Sequence, residues 1–137
     1  MKIPALLAGT LVVLLACPAP GRAATTGVVF QISAKSPASW KIAVHNARNL
    51  EQATGTPGRR IEIVVLGRAI GMLLRNSPVA RNLEALHASG VVVEAGKAAV
   101  RRAGLKAAAL LPFVRYIRST VAEIVRRERQ GWAYVQP

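Results

Sequence analysis

The sequence contains a single cysteine, Cys17, and it lies in an apolar N-terminal stretch. A short basic start, an apolar run and small residues before position 24 are typical of a cleavable export signal. We therefore predict cleavage after Ala23, which would remove the cysteine. The remaining chain would then have no disulfide, no zinc–thiolate site and no cysteine nucleophile.

Aspartate is absent, and all 6 acidic residues are glutamates. A Ser-His-Asp triad is therefore excluded, and no Gly-x-Ser-x-Gly elbow is present to carry a glutamate variant of it. His45 and His87 have no acidic or thiol companions at ligand spacing, so they predict no metal site. We expect no cofactor.

Basic residues greatly outnumber acidic ones: 19 Lys+Arg against 6 Asp+Glu give a formal net charge of +13. A field of this sign attracts anions. Nucleic acid is not the expected partner, because the N-terminal sequence predicts an exported protein and because aromatic residues, which stack on bases, make up only 4% of the chain.

Two local basic clusters stand in predicted helices, and such runs are usually solvated helix faces. Docking on an anionic membrane surface or on an acidic partner is the alternative interpretation. The clusters are Arg101, Arg102 and Lys106, and Arg126, Arg127 and Arg129.

The N-terminus begins with the basic pair Met1-Lys2, followed by an apolar run over residues 3–16. This run is short for a membrane span, and "CPAPGRA" interrupts it. We therefore predict a cleavable signal peptide over residues 1–23 and a periplasmic protein. Lipidation at Cys17 is the alternative, because "LLAC" resembles a lipobox; an uncleaved anchor is a further one.

Residues 27–137 read as one domain in which strands and helices alternate. Such alternation predicts a mostly parallel sheet of five strands with helices on both faces, a three-layer α/β domain. The predicted strands are 26–33, 61–67, 91–95, 112–117 and 131–137, and the predicted helices are 38–54, 77–90, 96–109 and 119–130.

Capping residues refine two of these helices. Ser77 is a plausible cap for the second helix, with Pro78 at its first position. Ser119 or Thr120 would cap the last helix, with Glu123 placed to close a capping box. Trp40 and Trp132 are read as core or subunit-interface aromatics.

With these elements placed, the chain resembles the DsrE/DsrF-like sulfur-relay family across nearly the whole domain. The resemblance implies a flavodoxin-like fold with five strands, and assembly into oligomers such as trimers or hexamers. The segments that carry it are "VVFQIS", "HNARNL" (residues 45–50), "IEIVVLGRAIGML" (61–73), "SPVARNLEAL" (77–86) and "VAEIVRRERQGWAYVQP" (121–137).

The departure from the family lies just after the third strand. Sulfur-carrying members place a cysteine there, after an alanine, and its thiolate accepts sulfane sulfur. In this sequence Ala95 matches the alanine, and Gly96 stands where the cysteine would be. Since glycine has no side chain to carry sulfur, the resemblance implies a chain that is not a sulfurtransferase by itself.

Ligands of parallel sheets bind at the carboxyl ends of strands, where the order of strands reverses. We therefore predict a small-oxyanion site at the mouth of strands one and three, formed by Lys35, Arg68, Gly96 and Lys97. The alternative is that these are ordinary turn residues of a basic protein.

The resulting hypothesis is an exported, non-catalytic binding or assembly subunit, in a homo- or hetero-oligomer that can include a cysteine-bearing relative. Two alternatives stay open. One is sulfur transfer with a thiol supplied by a partner, and the other is a basic binder of membrane surfaces or polyanions.

Overall fold

The computed structural model describes residues 26–137, whose centre is a parallel sheet. The predicted signal peptide (1–23) and Cys17 lie outside the described residues, so cleavage, lipidation and export stay predictions. None of the described helices combines the length and apolar character needed to cross a membrane. In chain order the elements are β1 (Val28–Ile32), α1 (Pro37–Thr54), β2 (Ile61–Val65), α2 (Ala80–Ala88), β3 (Val92–Gly96), α3 (Lys97–Arg102), β4 (Arg115–Ile117), α4 (Thr120–Arg129) and β5 (Ala133–Val135), with 3₁₀ turns at Gly58–Arg60, Gly67–Leu73 and Ala107–Ala109.

The 5 strands lie in the order β4-β3-β2-β1-β5, and every neighbouring pair is parallel. The chain first adds strands on one side of β1, then crosses back through α4 to add β5 on the other side. The predicted three-layer α/β domain is therefore confirmed, and it is consistent with a flavodoxin-like fold. The direction in which successive strands are added to the sheet reverses at β1, which lies between β2 and β5.

The two faces of the sheet are covered unequally. Phe30 and Ile63 point into the main core, which α1, α2 and α3 cover. The alternate residues Val29 and Val64 point the other way and pack against Ile124 of α4, because side chains of a strand alternate between faces. Among the described helices, α4 alone contributes to this smaller core.

The first turn of the second helix differs from the prediction. The helix begins at Ala80, and the Ser77 hydroxyl accepts a hydrogen bond from the Val79 N–H at 3.3 Å. A second hydrogen bond, from the Ala80 N–H to the Ser77 carbonyl at 3.0 Å, closes a turn over residues 77–80, and Val79 is the cap residue of the helix. The assignment of Ser77 as cap and of Pro78 as first helical residue was therefore wrong.

At α4 the predicted cap is confirmed, and the predicted capping box is wrong. Ser119 caps the helix, since its hydroxyl accepts from the Ala122 N–H at 3.2 Å. Glu123 does not close a capping box, because its carboxylate pairs with Arg126 and Arg127 instead.

The fourth strand is shorter than predicted and begins at Arg115. Residues 112–114 form a turn, closed by a hydrogen bond from the Val114 N–H to the Leu111 carbonyl at 3.2 Å. Pro112 has no N–H to donate to a strand ladder, which explains the late start.

Trp40 confirms the prediction of a core aromatic. It is 7% exposed, and its indole N–H donates to the Ala34 carbonyl at 2.7 Å. This bond ties the first turn of α1 to the loop that follows β1, so it helps to position the carboxyl end of that strand.

Gly58 packs directly against the loop between α2 and β3, and we expect Gly58→Ala to destabilise the protein by about 1–3 kcal/mol. A Cβ at this position would lie 2.7 Å from the carbonyl carbon of Ser89. At Gly71 the nearest atom, on the ring edge of Trp40, would be 3.3 Å away, so Gly71→Ala is the milder control. Urea unfolding measures both, and equal losses would contradict the packing argument.

Candidate functional site

The carboxyl ends of β1, β2 and β3 share one edge of the sheet, and the structure brings two predicted site residues together there. Lys35, after β1, and Arg68, after β2, line one depression of about 380 Å³. Arg102, at the end of α3, lines it as well and was not predicted. We call this the carboxyl-edge depression.

The carboxyl-edge depression is strongly cationic. Its lining includes Lys35, Arg68 and Arg102 but no acidic residue. In the part of the chain that the structure describes, none of the three forms an ion pair with a carboxylate. Their charges therefore remain available to an incoming anion.

Gly96 and Lys97 are not among the residues that line the depression. Gly96 ends β3, and a Cβ built on it would lie 3.0 Å from Cγ2 of Thr120, at the start of α4. Its open side therefore faces α4, whereas Lys97 is exposed at the first position of α3. Strands one and three are not neighbours, because β2 lies between them, and segments that follow all three strands line the depression.

A second group of charged side chains, which the sequence reasoning missed, lies beneath α4. Glu62 of β2 and Glu94 of β3 are 0% and 2% exposed, and Glu123 of α4 faces them. Each offers a carboxylate oxygen within 4.8 Å of the others. Half of the 6 acids in this basic chain therefore meet at one place. We call it the glutamate cluster.

Arg127 provides the central positive charge of the glutamate cluster. Its Nη2 lies 2.5 Å from Oε2 of Glu62, and its Nε lies 3.0 Å from Oε1 of Glu123. The guanidinium also stacks over the ring of Trp132, 4.2 Å from the centroid. With a side chain only 17% exposed, Arg127 is not part of a solvated basic face, so that prediction was wrong for it.

Two further arginines, closer to the surface, face the other carboxyl groups of the glutamate cluster. Arg115 of β4 places its Nε 3.7 Å from Oε1 of Glu94, and Arg126 donates to Glu123. With Arg127, three guanidinium groups therefore face three carboxyl groups.

Burial changes the acidity of these carboxyl groups. Burial first, and the neighbouring Glu94 charge second, raise the pKa of Glu62 to about 8. Burial also raises the pKa of Glu94. Burial would raise the pKa of Glu123 too, but the hydrogen bond from Arg126 and the two arginine charges lower it overall. These shifts favour the protonated forms of Glu62 and Glu94.

Three carboxylates can hold a hard divalent cation, so the glutamate cluster must be tested for this role. Arg127 already contacts Glu62 and Glu123, and its charge would repel a metal ion placed between them. The arrangement fits an internal ion-pair network that fastens α4 to β2 and β3.

One sequence feature could have revealed this network. Glu62 stands inside the apolar run "IEIVV", and Glu94 follows "VVV" in the next strand. A glutamate within a strand covered on both faces must find a buried partner, because an isolated buried charge is very unfavourable.

The comparisons give relatives among solved structures only. No protein-family model matches the chain, and no curated protein does. MTH1491 from Methanobacterium thermoautotrophicum, a protein of unknown function, is 32% identical, with a TM-score of 0.74 over 80% of this chain and 97% of that one. BT1422 from Bacteroides thetaiotaomicron, also of unknown function, is 14% identical, with a TM-score of 0.64 over 82% and 95% of the two chains. The ychN protein from E. coli is 16% identical, with a TM-score of 0.65 over 82% and 100%; the latter two show the fold alone.

Proposed function

We propose that this chain, which belongs to the same family as MTH1491, is a non-catalytic binding protein that holds a small oxyanion in the carboxyl-edge depression. One observation carries the proposal. Lys35, Arg68 and Arg102 come from three separate segments and line one depression that has no acidic residue.

The chemistry of the lining favours a compact anion with several oxygens. Guanidinium groups such as those of Arg68 and Arg102 donate two parallel hydrogen bonds to an oxyanion, whereas Lys35 acts as a point charge. Thiosulfate and sulfite have this character, and the sulfur-relay resemblance makes them the first anions to test.

The assignment to the DsrE/DsrF-like sulfur-relay proteins is part of the same proposal. It is supported by the fold shared with ychN, which is of the DsrE-like type. Within residues 26–137 there is no cysteine, and Gly96 stands at the carrier position of the resemblance. The chain would therefore bind a sulfur oxyanion rather than carry sulfur covalently.

The cellular location and the oligomeric assembly are part of the same proposal. The protein would work in the periplasm as a homo- or hetero-oligomer, in which a cysteine-bearing relative supplies any thiol. Persulfide labelling separates binding from transfer: sulfane sulfur bound covalently to the purified mature protein, cleaved after Ala23 and without a partner, would contradict a non-catalytic role.

The anion site is tested by calorimetric titration with thiosulfate, against sodium chloride at equal ionic strength. We expect Arg102→Gln to weaken binding about tenfold or more, because a charge-assisted hydrogen bond is lost. Bound thiosulfate should also raise the melting temperature of the wild type, since it stabilises only the folded state.

Arg101→Gln is the matched control for this titration. It removes the same charge from the neighbouring, exposed position of α3, which does not line the depression. Equal weakening by both substitutions would indicate general charge attraction and contradict a defined site. Absence of any melting shift at millimolar thiosulfate would contradict it as well.

A further inference from the structure

A separate depression lies between α1 and α2 and shares no lining residue with the carboxyl-edge depression. Its volume is about 390 Å³, within the range of small-molecule sites. Val44 of α1 and Val79 before α2 are 3% and 1% exposed and form an apolar floor. Ile42, which is 54% exposed, adds an apolar wall. We call this the interhelical groove.

Four polar side chains line the interhelical groove. Lys41, His45 and Arg48 lie one turn apart along α1 and so share a helix face; Asn82 comes from α2. Within residues 26–137, none of these four side chains makes a hydrogen bond or an ion pair with the rest of the protein. The groove thus combines available donors with apolar surface.

We infer that the interhelical groove binds an amphipathic organic anion, with a carboxylate or sulfonate head and an apolar body. The head would meet the Lys41 and Arg48 charges, and the Asn82 amide would donate a further hydrogen bond. The body would cover the exposed side chain of Ile42, and removing this apolar surface from water is favourable.

The charge of the groove favours this occupant over a second copy of the protein. Lys41 and Arg48 line it, so placing two such faces together would bring cations against cations. A small anion instead neutralises the α1 charges, and no acidic residue lines the groove to oppose it.

The test uses octanoate as the anionic probe and 1-octanol as its uncharged counterpart, titrated into the purified protein by NMR. We expect octanoate to shift the amide signals of α1 and α2 and to bind about tenfold more tightly than 1-octanol. Lys41→Gln and Arg48→Gln should each weaken octanoate binding about tenfold. Ile42→Gln should weaken both probes, because it removes apolar contact.

Arg81→Gln is the matched control, because Arg81 is exposed beside Asn82 but does not line the groove. It should leave octanoate binding within about twofold of wild type. Equal loss in Arg81→Gln, equal binding of 1-octanol, or no octanoate binding at millimolar concentration would each overturn the inference. Arg102→Gln should leave octanoate binding unchanged, so the two sites can fail independently.

Discussion

At pH 9, where Glu62 is ionised in the folded protein, the variant Arg127→Met is expected to unfold about 3–5 kcal/mol more easily than the wild-type protein. The substitution keeps a long apolar side chain over Trp132 but removes the charge that faces Glu62 and Glu123. Two carboxyl groups would then lie beneath α4 without their central counter-ion. Urea unfolding followed by circular dichroism at pH 9 measures the loss.

This large effect follows from burial rather than from the number of ion pairs. Glu62 is fully buried, so water cannot replace the missing guanidinium, and the carboxyl group can remain there only by holding a proton. The loss should therefore be greater at pH 9 than at pH 5, because keeping that proton becomes harder as the pH rises.

Arg126→Met is the matched control for this prediction. Arg126 pairs with Glu123 on the same helix, but its side chain is 49% exposed, so the substitution should cost less than about 1 kcal/mol. Similar losses for the two variants would show that Arg127 acts as one more surface charge, and would contradict the glutamate cluster as the attachment of α4.

The second large effect is a decline in stability as the pH rises from about 4.5 to about 8. In the folded state the pKa of Glu62 is about 8, against an ordinary value of 4.5. Between these values the folded protein holds a proton that the unfolded chain releases, so raising the pH favours unfolding. The stabilisation is complete below the unfolded pKa and is lost as the pH passes through the folded one.

The pKa shifts of Glu94 and Glu123 also change how stability depends on pH. The raised pKa of Glu94 adds to the decline. The lowered pKa of Glu123 has the opposite sign, but its contribution is lost only when the pH falls below its ordinary value of 4.5. The net slope should approach about 1 kcal/mol per pH unit in the free energy of unfolding.

Glu62→Gln should largely remove this slope, because an amide of the same shape does not titrate. Melting temperatures measured at intervals from pH 5 to pH 9 compare this variant with wild type and with Glu84→Gln, an exposed glutamate of α2. Glu84→Gln should keep the wild-type slope. Wild-type stability that rises with pH, or an unchanged slope in Glu62→Gln, would refute the assignment.

The order of strands and helices could be predicted from the sequence, because it depends on local patterns. Nearly continuous apolar runs such as 61–65 indicated strands covered on both faces, and apolar spacing along residues 38–54 indicated α1. The alternation of strands and helices along the chain then predicted a parallel sheet. The carboxyl-edge position of Lys35 and Arg68 followed as well, because all loops after parallel strands emerge at one edge.

The spatial order of the strands could not be predicted in the same way. The insertion of β2 between β1 and β3 separates the Lys35 loop from Lys97, and it brings Arg102 rather than Lys97 to the depression. These neighbours are far apart in the chain, so no local pattern encodes their contact.

The sequence by itself determined that the protein is a basic α/β domain with no cysteine within residues 26–137, since composition and periodicity are properties of the chain alone. Only the tertiary structure decided that Glu62, Glu94, Glu123 and Arg127 meet. Strand parity allows the two strand glutamates to share a face, but the path of α4 across that face brings Arg127 over them. Burial beneath that helix then raises the pKa of Glu62. Residue types that usually lie on the surface therefore form a buried network that holds a proton.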